Sequence, residues 1–363
     1  MPTLIHLISA TTWGGGERYA LDICRHFRSL GWQVLAVTRD SNAVDIPFEK
    51  EGIKIRHLPL RGYTDLVSPV RLASMLKRRP ADTVIHVHKY KDAFTALLAR
   101  KLAGRKDIRV VLTRHLVRPA KRDRLSRRIY RNLDAQIFVS ALARSRFTSS
   151  WQGAPLPFPS QRMHTLHNSL YGPTPPYTPP PEKGPRIILF LGRLSPEKGI
   201  ETLLEALPAL RGRRARAWIC GTGQADYVDS LKRTATRLGV MDLIDWKGHV
   251  ADAEAAIRAC HVAVLPSVAE ESFGLANVEV MRMGRAQICT AHGAQREYLR
   301  DGRDALFIAP GDSEALARHL ATLLDDTATP NRLTTIGQTA RSTYLETLAW
   351  PRFATRLEAI YRT

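Results

Sequence analysis

Cysteine is scarce in this chain of 363 residues, with four in all and no pair at C-x-x-C spacing. That excludes a zinc ribbon or a paired redox site. Cys24, Cys220, Cys260 and Cys289 read as buried free thiols of a reducing compartment. Long apolar runs are lacking too: none approaches the ~20 residues that a bilayer crossing requires. The opening residues, MPTLIHLISATTWGGGE, have no basic leader and no small-residue cleavage site, so a first buried strand is expected there and not a signal peptide. No short-period repeat is present, which excludes a solenoid. Aromatic residues make up only 7%, and neither an aromatic-interleaved basic strand nor a zinc module is found, which speaks against nucleic-acid recognition. Acidic residues are deficient in one half only. Residues 1–170 hold 30 Lys+Arg and 12 Asp+Glu, net +18, whereas residues 171–363 hold 24 and 22, net +2. A merely solvated basic surface would spread its excess over both halves. The split implies an anionic partner for the first half: a lipid headgroup surface, a phosphorylated acceptor or a nucleic acid.

Hydrophobic residues make up 44% of the chain, enough for two domains with a core each. In the first half TLIHLIS, QVLAVT, IKIRHL, TVIHVH, RVVLTRH, AQIFVS and MHTLH read as strands. Amphipathic stretches such as ERYALDICRHFRSLG and DAFTALLARKLAG lie between them and close on glycine. The second half repeats the pattern with RIILFLG, ARAWICG, LIDWKG, VAVLPS, AQICTA and DALFIAPG as strands. Strand–helix alternation of this kind predicts α/β halves with parallel, doubly wound sheets. Residues 171–185 hold seven prolines and are expected to form a stiff linker. The expected domains are 1–170 and 186–346. A final helix over about 347–363, with Pro351 in its first turn, is expected to pack back on the first domain. Ligands of doubly wound sheets sit at the carboxyl ends of the strands.

The chemistry concentrates at such strand ends. In LPSVAEESFGLANVEVMRMG, residues 265–284, a strand ends at Pro266 and Glu271 follows in a loop. A helix then opens around Gly274–Ala276, with Glu279 inside it. The N–H groups at that helix start suit a phosphate, and the two carboxylates suit hydroxyls on either side of it. In FLGRLSPEKGIETLLEAL, residues 190–207, Arg193 and Lys198 follow a strand. Two cations there suit a diphosphate, whose charge grows as it leaves. Gly221 belongs to a Gly-x-Gly turn after another strand, by itself a tight turn. Thr12–Glu17, with Gly14, Gly15 and Gly16, links the first strand to the first helix and lets backbone approach a ligand closely. It is not G-x-G-x-x-G, so a dinucleotide fold is poorly supported. His115 closes RVVLTRH at a strand end. His86 and His88 share one face of TVIHVH by the period of two; a histidine in such a place is more often structural.

These segments resemble the retaining family 4 glycosyltransferases of the GT-B fold, two Rossmann-like domains facing each other across a cleft. Glu271 and Glu279 match the family's E-x7-E signature, in which the first Glu contacts the donor sugar and the second the ribose. Arg193 and Lys198 match its G-R-x-x-x-x-K-G segment and take the phosphate role. Phe273, Gly274 and Leu275 fall at the donor-phosphate helix. His249 and Val250 in WKGHV fall where the base is recognised, with Gly221 near the nucleotide. Gly15 and Gly16 match the Gly-Gly-x-Glu loop beside donor phosphate and acceptor, and His115 the histidine beside the reacting sugar. Asn168 matches an Asn-Gly at the domain crossover, with Ser169 replacing the glycine. Where the family has Glu-Ala-Met-Ala and Gly-x-Pro, this chain has Glu279-Val280-Met281-Arg282 and Gly284-Arg285-Ala286, and Arg282 reads as an exposed helix residue.

The resemblance implies transfer of a sugar from a nucleoside-diphosphate sugar, with retention, to a glycan or lipid-linked acceptor, as in bacterial envelope polysaccharide or lipopolysaccharide synthesis. It implies no cofactor. No metal is expected, since two cations already face the diphosphate and no Asp-x-Asp ends a strand. A cytoplasmic location is expected, peripheral to the inner face of the membrane if the basic amphipathic segment 114–131 lies on anionic lipid. That segment counts nine basic residues, His115 included, and one acid. The alternatives are a GT-B nucleotide-sugar epimerase, a non-catalytic sugar-binding scaffold and a basic nucleic-acid-binding protein.

Overall fold

The computed structural model describes residues 1–325 and 331–363. It divides into two compact units, Met1–Tyr171 with Trp350–Thr363, and Gly172–Ala349. The first is built on strands β1 (Thr3–Ile8), β2 (Gln33–Thr38), β3 (Lys54–His57), β4 (Thr83–Val87), β5 (Arg109–Arg114), β6 (Ala135–Phe138) and β7 (Met163–Thr165). All pair in parallel, in the order β3-β2-β1-β4-β5-β6-β7. The continuous apolar strands follow from burial on both faces: every residue of β1 and of β4 is buried. On one face Ile5, Leu7, Ile85 and Val87 join a core with Leu72, Leu76 and Ala96. On the other, Leu4, Val84 and Val111 pack with Tyr19 and Phe27 of helix Gly15–Ser29 and with Phe353, Leu357 and Tyr361 of helix Trp350–Arg362. Burial of each large side chain contributes about 1.5–3 kcal/mol.

The second unit holds β8 (Arg186–Leu191), β9 (Ala215–Cys220), β10 (Ile244–Gly248), β11 (Val262–Leu265), β12 (Ala286–Thr290) and β13 (Leu306–Ile308). Their order is β10-β9-β8-β11-β12-β13. In both sheets the strand order reverses beside the first strand, between β1 and β4 and between β8 and β11. The crevice outside the strand ends at such a reversal is where open α/β sheets bind ligands.

The proline-rich stretch 172–185 contains no helix or strand and is fastened to the second unit. Prolines supply no N–H, but their carbonyls remain strong acceptors. Arg282 donates to Pro173 O at 2.5 Å, His261 Nε2 to Pro181 O at 2.8 Å, and Arg341 to Pro175 O. Arg285, 1% exposed, donates to the carbonyls of Thr178, Pro179, Cys260 and Arg258. The expectation of an exposed Arg282 is therefore corrected. It is buried because it reaches Pro173 and pairs with Glu254 at 3.3 Å.

Candidate functional site

In the second unit the loops after β8 and β11 meet at the strand-order reversal. The first, Gly192–Gly199, ends in a left-handed glycine: Gly199 has φ +64°, and a Cβ there would stand 2.2 Å from the Pro266 carbonyl oxygen. Only glycine lets the two loops touch in this way. The Glu197 carbonyl accepts from Val268 N at 3.0 Å and Ala269 N at 3.2 Å, which locks the loops together. Lys198 Nζ then donates to Glu271 Oε1, and Ser267 Oγ donates to the same oxygen at 2.7 Å. Both members of the ion pair are partly shielded, 27% and 19% exposed. The backbone of Glu271 is held by a neighbouring turn, with Glu271 N donating to His292 O and Ala294 N to Glu271 O. Arg193 stands apart from the pair. Its guanidinium lies 3.6 Å from Glu197 and its side chain is 73% exposed.

Gly274 precedes helix Leu275–Arg282 and no side chain among the described residues caps it. Asn277 N and Val278 N donate to Gly274 O, which leaves the Leu275 and Ala276 N–H groups pointing out of the helix without an intrahelical acceptor. Phe273 is buried, and Tyr298 Oη donates to its carbonyl at 2.5 Å, which fixes the entry to the helix. Glu279 lies half-buried within the helix, and Leu275 opens it. The turn after β9 comes close to the loop of β8. A Cβ on Gly221 would stand 1.7 Å from Gly192 O, which leaves room for glycine alone. Gly221 N also donates to Gly248 O at 2.7 Å, next to exposed His249 and half-buried Val250.

In the first unit, Gly15 and Gly16 open helix Gly15–Ser29 directly after the loop that leaves β1. His115 follows β5, and its ring is the nearest atom group to a Cβ built on Gly16, at 3.9 Å. Both line a pocket of about 650 Å³ that includes His88. Seven Lys and Arg side chains line the same pocket, Arg39, Arg61, Lys89, Lys91, Arg114, Arg118 and Lys121, against one acid, Glu17. Burial lowers the His115 imidazole to about 4 and His6 to about 3. Burial, then the neighbouring histidines, lowers His86 and His88 well below the usual value. All four rings are neutral at pH 7.

Segment 114–131 is not uniformly a surface. Asp123 caps helix Arg124–Asn132, accepting from Ser126 N at 2.9 Å. Ile129 and Tyr130 enter the core, and Arg114 packs over Phe147 at 4.7 Å. Lys121, Arg122, Arg124, Arg128 and Arg131 remain exposed, with Leu116 and Leu125. Leu125, Ile129, Phe94 and Leu97 line an apolar groove of about 480 Å³ that Lys101, Lys106 and Arg128 flank. Asn168 is buried.

The structure thus gathers Lys198, Glu271 and the start of the Glu279 helix, and separately Gly15, Gly16 and His115. Sequence reasoning missed Ser267, the His292–Ala294 turn, Tyr298 and His6. Ser267, four residues before Glu271, carried a local signal; the others act through partners distant in sequence.

The chain matches the model of the glycosyl transferases group 1 over residues 178–341 and that of the glycosyl transferase 4-like domain over residues 14–169. It is 33% identical over 181 residues to a phosphatidyl-myo-inositol mannosyltransferase of Mycobacterium leprae, covering 49% of this chain and 46% of that protein. The chain spans about half the length of the first of its curated relatives. The mannosyltransferase of the same name from Mycolicibacterium smegmatis is 28% identical over 331 residues, 86% of this chain and 82% of that one. The fold resembles that of Anabaena HepE, solved in complex with UDP and glucose, with a TM-score of 0.81, 19% identity and 99% of each chain covered.

Proposed function

The chain belongs to the family 4 glycosyltransferases of the GT-B fold, and on that premise we propose that it moves a sugar from a nucleoside-diphosphate sugar to an anionic acceptor with retention of configuration. The observation that carries the reading is the Lys198–Glu271 pair, held by Ser267 at the strand-order reversal of the second sheet. Lys198, with Arg193 swinging in from solvent, supplies positive charge where a diphosphate leaves. Glu271 holds the donor sugar, and Glu279 the ribose. The first-turn N–H groups after Phe273 and Gly274, at Leu275, meet phosphate. Gly221, His249 and Val250 border the base. In the first unit, taken by itself, Gly15 and Gly16 suit a phosphate, and His115 suits a sugar hydroxyl to which it donates. Retention follows front-face substitution: the diphosphate oxygen leaves, the acceptor oxygen bonds to the same face, and the acceptor's proton passes to the leaving phosphate. Two side-chain cations serve in place of a metal, and no cofactor is required. The reading is tested by whether the chain binds and, without acceptor, slowly hydrolyses a nucleoside-diphosphate sugar in EDTA.

The anionic acceptor is supported by the pocket beside His115, with its seven cations, and by relatives whose names specify a phosphatidylinositol. It fits a lipid-linked or phosphorylated acceptor of envelope glycan synthesis, made on the cytoplasmic face of the membrane. The apolar groove flanked by Lys101, Lys106 and Arg128 fits the surface of an anionic bilayer, with acyl chains against Leu97 and Leu125. Each surface Lys or Arg adds about 1 kcal/mol of attraction. Vesicles containing phosphatidylglycerol should therefore bind the chain and neutral vesicles should not. Replacing Lys101, Arg124, Arg128 and Arg131 with Gln should release it. Raising salt should release the wild type as the Debye length shrinks from about 10 Å at 0.1 M to about 3 Å at 1 M. Equal sedimentation with neutral and anionic vesicles would remove the membrane from the account.

A further inference from the structure

Three imidazoles of the first unit form a continuous hydrogen-bonded line. His6 Nδ1 lies 2.8 Å from His88 Nε2, and His88 Nδ1 lies 3.1 Å from His115 Nε2. The sheet makes the line: β1 and β4 pair in parallel with His6 opposite His86, so His88 stands one step past the strand end above His6. The rings of His6 and His88 stack 5.0 Å apart and those of His88 and His115 lie 5.4 Å apart. Tyr19 packs its ring edge-on against His88 and His115. His86 belongs to a side branch, with Tyr361 Oη at 2.5 Å from Nδ1 and Thr113 Oγ1 at 2.7 Å from Nε2. His6, His86 and His88 are close enough to share a cation. Five of their six ring nitrogens, however, are already in hydrogen bonds, which favours a relay over a metal.

We propose that His6 and His88 are positioning residues that fix His115 as its Nδ1–H tautomer, so that this ring presents a donor N–H at the basic pocket. The argument is one of proton counting. A neutral imidazole carries one N–H and one lone pair, so each ring-to-ring bond sets the tautomer of the next ring, and the line has only two states. In one, every proton points outward: His6 Nδ1–H donates to His88, His88 Nδ1–H donates to His115 Nε2, and His115 keeps its proton on Nδ1. In the other, every proton points inward, and His6 ends with an N–H on Nε2. His6 Nε2 is buried with no partner among the described residues. A buried orphan N–H is rarer than an orphan acceptor, so the outward state wins. At the other end His115 Nδ1 has no protein partner among the described residues, and the ring lines the pocket. Burial keeps these rings neutral, as the two-state line requires. The consequence for sugar transfer rests on the function proposed above; the tautomer itself does not.

The test is long-range ¹H–¹⁵N correlation NMR on the full chain labelled with ¹⁵N-histidine, at pH 7 and without any nucleotide. Assignment comes from single variants among the 12 histidines. The expected result is the Nδ1–H tautomer for His6, His88 and His115. An Nε2–H tautomer at His115, or rapid averaging between the two, overturns the proposal. His88→Leu should release His115 from its Nδ1–H state, whereas His88→Asn, whose amide N–H sits where Nδ1–H was, should restore it. A His115 signal identical in both variants also overturns the proposal. If the variants fail to fold by circular dichroism, the wild-type spectrum decides alone. Turnover of a nucleoside-diphosphate sugar separates this test from the functional reading. A fixed tautomer with no turnover retains the relay and removes the enzyme. Turnover with a mobile tautomer retains the enzyme and removes the relay. With both in place, His88→Leu should lower kcat about 10-fold, the loss of one neutral hydrogen bond, with the KM for the sugar nucleotide unchanged.

Discussion

Lys198→Ala is expected to lower turnover of the sugar nucleotide by about 10²–10³-fold, the effect of deleting one preorganised group that meets charge developing in a transition state. The reason lies in the pair it forms. Lys198 is fixed by Glu271, which is itself fixed by Ser267 and by the turn at His292–Ala294, so its charge needs no rearrangement as the diphosphate departs. The main loss should appear in kcat, because the charge on the leaving group is larger in the transition state than in the bound donor. Glu279→Gln should act differently. In the proposed site it would remove an acceptor for ribose that serves ground and transition states alike, so KM should rise with a smaller change in kcat. Initial rates of nucleotide release, measured against donor concentration, separate the two patterns. Lys198→Ala with wild-type kcat would remove this residue from the chemistry.

The largest effect on stability is expected from Arg285→Ala, at about 3–5 kcal/mol. Arg285 is a fully buried cation held by carbonyl oxygens of residues 178, 179, 258 and 260. Hydrogen bonds to a charged group contribute about 1.5–3 kcal/mol each, and removal of the guanidinium leaves acceptors unpaired and a cavity behind. With about 2–4 °C per kcal/mol for a unit of this size, a fall of roughly 10 °C in Tm should result. Arg285→Lys should fall between, because a point charge reaches fewer of these carbonyls than a planar fork does. A Tm within about 2 °C of wild type in Arg285→Ala would show that the proline-rich stretch is not held by this residue.

The sheets were legible in the sequence because parallel strands are buried on both faces, and RIILFL or TLIHLI leaves no polar face to confuse with a helix. Strand ends located Lys198, Glu271 and His115 for the same reason. What stayed illegible depended on neighbours set by the sheet. The stack of His6, His88 and His115 exists because β1 lies beside β4, and β4 beside β5, a pairing that no local pattern encodes. Arg282 read as a surface residue from its helical position, but the carbonyls of a proline run 109 positions away draw it inward. Arg193 and Lys198 looked equivalent in sequence. Glu271, 73 positions further on, distinguishes them by binding one and leaving the other in solvent.

The most direct measurement of the central claim is ¹H NMR of a panel of nucleoside-diphosphate sugars incubated with the chain in EDTA, with the anomeric signal of the first-formed product recorded before it equilibrates. The account predicts that one donor is cleaved, that the product first appears with the anomeric configuration of the donor, and that Lys198→Ala slows its appearance by about 10²–10³-fold. Cleavage of no donor in the panel, cleavage only after a divalent metal is restored, or a first-formed product of inverted configuration would contradict it.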